Sequence, residues 1–246
     1  DLMNAAKSAG KEFVVFDRPN PNGMYVDGPI LDMKYSSGVG RLPIPVVHGL
    51  TLGEIALMAN GEGWLQDGSQ VPLTVVPVKN YTHQTRYELP VAPSPNLKSM
   101  KAIYLYPSMC YFEATPVSLG RGTDRPFEMY GHPAMKKSGY SFTPQSLPGA
   151  KEPPQLGKLC YGVDLGGLDN EEIISRGIDL SYLIDAYNQV GLGDKFFRSF
   201  FELLIGRGDI RKMIEDGRSA DEIKATWADD VAKFKEQRRP YLLYEE

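Results

Sequence analysis

Between Tyr111 and Pro133 the chain reads YFEATPVSLGRGTDRPFEMYGHP, setting Glu113, Arg121, Asp124, Arg125, Glu128 and His132 among three glycines and three prolines. Gly and Pro fix where such a backbone can travel, so these charges sit on a defined loop, as in many binding sites and in many plain ordered loops. A second polar group, Asp17-Arg18-Pro19-Asn20-Pro21, directly follows the apolar run Phe13 to Phe16. Ligands of open α/β sheets bind outside the carboxyl ends of strands, and this turn would offer a carboxylate, a guanidinium and an amide there. Asx turns that satisfy their own backbone would use the same residues. A third group, Asn80-Tyr81-Thr82-His83 with Thr85 and Tyr87, mixes rings and amides as sugar sites do, with rings on C–H faces and polar tips on hydroxyls.

The elements that must hold these groups read as mixed α/β. Leu2, Ala5, Ala6 and Ala9 keep helical spacing up to Gly10, and a strand follows at Phe13 to Phe16. A strand apolar on both faces belongs inside a parallel sheet, so earlier strands are expected and the chain reads as the C-terminal part of a longer protein. Thr51 and Glu54 form a capping box that opens a helix to about Asn60, and Leu73 to Val78 reads as a strand. The proline-rich stretch from Leu89 to Leu97 marks a domain boundary near Asn96, giving units 1–96 and 97–246. In the second unit Leu159 to Leu165 alternates as a strand, Ile178 to Val190 is an amphipathic helix, and Ser219 to Glu222 is another capping box. The last opens a helix with Ile223, Trp227, Val231 and Phe234 on one face, closed by Pro240.

Composition narrows the function classes. Of 246 residues 42% are hydrophobic and 24% charged, enough for a sizeable core, and no apolar run is long enough to span a bilayer. A net charge of -4 argues against a nucleic-acid partner, and the pairs Lys136-Lys137 and Arg238-Arg239 read as solvated ends of elements. Cys110 and Cys160 read as buried thiols or as one disulfide. The three histidines, His48, His83 and His132, lack metal-ligand spacing, and no nucleophile elbow, Walker loop or dinucleotide fingerprint occurs.

The strings FDRPNPNG, VDGP, PIPVVHGLTLGE, NYTHQTRYELPVAPSPN, YPSMCYFEAT, GRGTDRPFEMYGHP and RRPYLLY, in this order, resemble a bacterial family long described as a domain of unknown function. Its members are known as exo-acting β-N-acetylmuramidases, and the resemblance runs over nearly the whole chain. It implies a Rossmann-like parallel-sheet domain, present here as its C-terminal part, then a smaller α+β domain, with the active site between them. It implies a substrate as well: N-acetylmuramic acid at the non-reducing end of peptidoglycan fragments, cleaved without metal or organic cofactor, in the periplasm or at the cell surface. The expected partners are muropeptides, with no membrane span and with an upstream segment completing the sheet.

Glycoside hydrolysis uses two carboxyl groups, one protonated to assist the leaving oxygen and one ionised. Under the resemblance Glu113 is the candidate acid, since it follows Met109 to Phe112, read as strand-like, where desolvation favours the protonated form. A structural pair with Arg121 is the competing reading. The second carboxylate is Asp17 or lies upstream. Muramic acid carries a lactyl carboxylate that calls for a planar two-donor cation, so Arg121 between its glycines leads, with Arg18 next and Arg125 in reserve. Asn20, His83 and Asn96, within the matching strings, are the further substrate contacts. Phe112-Glu113-Ala114-Thr115 departs from the family's usual Phe-Glu-Gly-Thr by one methyl group. Two other classes remain open: a non-catalytic muropeptide-binding module and an interaction domain of the cell envelope.

Overall fold

The computed structural model describes residues 1–137 and 139–246. Helix α1 (Leu2–Ser8) leads into strand β1 (Phe13–Phe16), which pairs in parallel with β4 (Leu73–Val76), Phe13 opposite Leu73 and Phe16 opposite Val76. Between them lie an antiparallel pair, β2 (Asp27–Ile30) and β3 (Pro45–Val47), and helix α2 (Leu52–Gly61), which packs on both β1 and β4. The capping box forms as the sequence requires. Thr51 Oγ1 accepts from the Glu54 N–H, and a Glu54 carboxylate oxygen accepts from the Thr51 N–H at 2.8 Å.

Helix α3 (Met100–Met109) begins at the Ser99 cap and carries Pro107 in its interior. Proline cannot donate to the carbonyl four residues earlier. That carbonyl, on Ile103, instead accepts from the Asn22 side-chain amide at 3.2 Å, so the helix continues through its proline. A 3-10 turn over Cys110–Ala114 extends it. The strand-like reading of Met109 to Phe112 is therefore corrected: Glu113 stands on a helical turn above a buried layer of Tyr111 and Phe112.

Beyond α3 the chain forms a three-stranded antiparallel sheet in the order β5 (Met129–His132), β7 (Cys160–Asp164), β6 (Ser141–Phe142). Helices α4 (Asn170–Arg176), α5 (Ser181–Val190), α6 (Phe201–Ile205), α7 (Ile210–Glu215), α8 (Ala220–Ala225) and α9 (Ala228–Arg238) follow. The fold is thus mixed α/β, with parallel and antiparallel pairing. One apolar core runs from Val26 to Phe234 and includes residues from both sides of Asn96. Trp227, Tyr111, Phe127, Phe196 and Phe201 are among its largest buried side chains.

Two further expectations change. The helix expected from Ser219 through Pro240 breaks into α8 and α9, because Thr226 Oγ1 takes the Ile223 carbonyl and Trp227 turns its Nε1–H to Asp27 at 2.9 Å. Asp27 also accepts from Ile178 N and Lys224 Nζ, so β2 and the C-terminal helices share one buried carboxylate. Arg238 is not a solvated end: it is 3% exposed and donates to the carbonyls of His48 and Gly49. On strand β1 Val15 is buried while Phe16 is 74% exposed. Both cysteines are free and buried, so there is no disulfide between them.

Thr51 serves the helix cap and, through its hydroxyl, Asp17 at 2.7 Å. Thr51→Ala should lower the unfolding free energy by about 1–2 kcal/mol, read from the urea midpoint at unchanged slope.

Candidate active site

Most of the sequence-predicted residues fall into two clusters. The first lies outside the carboxyl ends of β1 and β4. Asp17 accepts four hydrogen bonds, from the N–H groups of Arg18 (2.9 Å) and Gly53 (2.7 Å) on Oδ1 and from the hydroxyls of Thr51 (2.7 Å) and Tyr244 (2.6 Å) on Oδ2. Gly53 is required here, since a Cβ at that position would meet Asp17 Cγ at 2.8 Å. The Tyr244 hydroxyl also accepts from Val78 N, so the C-terminal tail bridges the ends of both parallel strands. Burial and the Asp17 carboxylate push the Tyr244 phenol up, which keeps it a donor.

From Asp17 a buried chain runs through Thr51 and Glu54 to His83. Glu54 Oε1 meets His83 Nε2 at 3.0 Å and accepts from Leu243 N at 2.9 Å, while His83 Nδ1 faces the Gly23 carbonyl at 3.3 Å. The His83 ring is thus held between two oxygen groups, the Glu54 carboxylate and the Gly23 carbonyl. Asn20 donates from its side chain to Leu50 O and accepts from Asn22 N. These groups spend their hydrogen-bonding capacity on the fold. Asp17, expected as the second carboxylate, is given a structural task by this geometry. Arg18 alone in this cluster is exposed, with no side-chain partner among the described residues.

The second cluster is built on the turn after α3 and the loop between Leu119 and Glu128. Arg121 Nη2 donates to Glu113 Oε1 at 2.6 Å, with the two side chains 29% and 28% exposed. The guanidinium carbon lies 4.9 Å over the Phe127 ring, and Tyr106 packs on the same ring at 5.3 Å. Gly120 and Gly122 hold φ of 73° and 83°, and a Cβ on either would strike Met129 or the Gln145 backbone. Phe127 itself holds φ of 69°, rare for a bulky residue, and its ring is wholly buried. Arg121 is thereby fixed from its backbone and from beneath. Burial, with Cys110 and Glu113 nearby, pushes the Tyr106 phenol up to about 12, so its proton stays on. The same burial and Glu113 push the Cys110 thiol to about 12, which makes it inert.

Arg125, on the same loop, and Asn96 are already engaged. Arg125 forms a two-point pair with Asp164 at 3.0 and 2.9 Å, and it holds that carboxyl below its usual range. Asn96 donates to Gly149 O at 2.9 Å, beside a cavity of about 370 Å³ that Lys98, Gly122 and Thr123 also line. His132 Nδ1 accepts from Ala134 N. Among the described residues no group of three or more His, Cys, Asp and Glu could hold a metal ion, and no helix is long and apolar enough to cross a membrane.

Two family models together account for most of the chain. The model described as exo-beta-N-acetylmuramidase NamZ, N-terminal, matches residues 1–101, and its C-terminal counterpart matches residues 104–244. The chain belongs to the NamZ family. It is 36% identical, over 98% of its length, to the peptidoglycan beta-N-acetylmuramidase NamZ of Bacillus subtilis (strain 168), and spans 62% of that relative. A crystal structure of a DUF1343 family protein from Bacteroides fragilis NCTC 9343 superposes with a TM-score of 0.98 at 64% identity, over all of this chain and 69% of that one. A second DUF1343 structure from the same organism, 24% identical, shares the fold with a TM-score of 0.81 over 99% of this chain and 69% of its own.

Sequence reasoning missed Glu54, Tyr106, Phe127 and Tyr244 as parts of these clusters. Glu54 was visible only as a capping residue, and Tyr244 only inside RRPYLLY. Nothing local in the sequence signals that Phe127 lies under Arg121.

His48 closes the loop into α2, its Nδ1 accepting from Leu50 N at 3.0 Å, and burial, then Arg238, lower it from 6.5 to about 4. Between those values the unfolded chain binds a proton that the native ring refuses, so stability falls as pH drops from 6.5 towards 4. His48→Gln should flatten this part of the stability profile, measured by urea unfolding at a series of pH values.

Proposed function

We propose that this chain carries the larger part of a peptidoglycan-fragment hydrolase that releases N-acetylmuramic acid from non-reducing ends. The observation that carries the reading is the Glu113–Arg121 pair, a carboxyl group and a fixed guanidinium at 2.6 Å, in a member of the NamZ family. The Bacillus relative, whose name states a peptidoglycan β-N-acetylmuramidase, supports the reaction class. In this reading Arg121 receives the lactyl carboxylate and Glu113 assists the leaving oxygen. Arg18, exposed and without a side-chain partner among the described residues, is a further cation for the anionic glycan. The second carboxylate of the hydrolysis is assigned outside the two clusters, because all four donors around Asp17 are structural.

The N-terminal half supports a Rossmann-like reading, since β1, α2 and β4 supply a parallel pair with a helix packed against it. Beside β1 lies an apolar groove of about 900 Å³, lined by Phe16, Leu52, Ile55 and Trp64 with Leu2 and Arg18 at its margin. We assign it to further strands and covering helix of the same sheet, as exposed apolar surface of this size requires. The periplasm or cell surface, where peptidoglycan lies, is the proposed location.

A chromogenic β-N-acetylmuramide assayed beside the matching glucosaminide tests the reading. Release from the muramide alone is expected, and Glu113→Gln should reduce it by at least about a hundredfold without loss of sugar binding. Muropeptide binding with no release from either substrate would replace the hydrolase by a binding module.

A further inference from the structure

The proposed acid and the proposed carboxylate receptor are bonded to each other, which determines what a ligand must do on arrival. Arg121 cannot easily leave its place: Gly120 and Gly122 lie at positive φ against neighbouring backbone and side chains, and Phe127 supports the guanidinium face. Glu113 is held far less firmly. It stands near the end of the 3-10 turn Cys110–Ala114, a little under a third exposed, with its carboxylate bonded to Arg121 alone among the described residues. The contrast with Asp17, fixed by four donors, is a contrast between a structural and an exchangeable carboxylate.

We propose that the Glu113–Arg121 pair is an exchange lock, in which the carboxylate of a muramic acid ligand takes the place of Glu113 on Arg121 and releases Glu113. This rests on the sugar-site reading of the cluster and adds to it how the site selects its ligand. Without ligand, Glu113 neutralises Arg121. A neutral N-acetylglucosamine unit cannot compete for the guanidinium and leaves the pair closed. A unit bearing the lactyl carboxylate accepts from Arg121 with both oxygens, in the geometry that the fork of N–H donors favours. Glu113 then loses its counter-ion beside Tyr106 and Cys110, neither of which carries a positive charge, and is able to hold the proton that a general acid donates. Discrimination between the two sugars is thus coupled to preparation of the acid.

Binding separates this inference from the hydrolase reading. The chain, its Glu113→Gln variant and its Arg121→Gln variant are titrated calorimetrically with free N-acetylmuramic acid and with N-acetylglucosamine, and thermal unfolding of each variant confirms a native fold. Glu113→Gln should bind N-acetylmuramic acid roughly tenfold more tightly, because the ligand no longer competes with a resident carboxylate, with N-acetylglucosamine affinity unchanged. Arg121→Gln should bind both sugars alike. Equal or weaker binding of N-acetylmuramic acid by Glu113→Gln overturns the lock, as does a chain that binds neither sugar. Muramide turnover together with unchanged affinity in Glu113→Gln would sink the lock and leave the hydrolase standing. Tighter binding without any turnover would keep the lock and remove the hydrolase.

Discussion

The buried carboxylate of Asp17 is the joint on which the N-terminal half depends. It lies at the end of β1, receives the start of α2 through Gly53 N and Thr51 Oγ1, and takes the C-terminal tail through the Tyr244 hydroxyl. A buried carboxylate would be costly without donors; four of them, aimed from three separate parts of the chain, satisfy it. The tail residues extend the same joint, with Leu243 N on Glu54 and His83 N on the Glu245 carbonyl. The beginning and the end of the chain therefore meet where two parallel strands end.

The second cluster follows the opposite rule. Among the described residues Glu113 has a single donor, and that donor is held still by glycines on either side and an aromatic ring below. Backbone strain at Phe127 is maintained by its buried surroundings, which is how a fold holds a side chain in an otherwise unfavourable position. Counting donors thus sorts the chain's carboxylates by task. Asp17 and Asp27 tie elements together, Asp164 answers Arg125, and Glu113 meets the Arg121 guanidinium.

Much of the local structure was legible in the sequence. Both capping boxes, the strands at Phe13 and Leu73 and the alternation around Cys160 to Asp164 depend on residues a few positions apart, and they form as read. What was not legible depends on distant partners. Helix α3 tolerates Pro107 because Asn22, 81 residues from Ile103, takes the freed carbonyl. The break between α8 and α9 answers to Asp27, 200 residues from Trp227. In the site, the types and spacing of Glu113 and Arg121 pointed to each other, whereas the saturation of Asp17 needed Tyr244 from the far end of the chain.

Whether Glu113 yields Arg121 to a ligand is decided by a crystal structure with N-acetylmuramic acid bound. If the pair exchanges, the ligand's carboxylate lies on Arg121, in the place of Glu113 Oε1, with the Glu113 side chain turned away and Phe127 unmoved. A bound sugar with the Glu113–Arg121 contact still at 2.6 Å would contradict it.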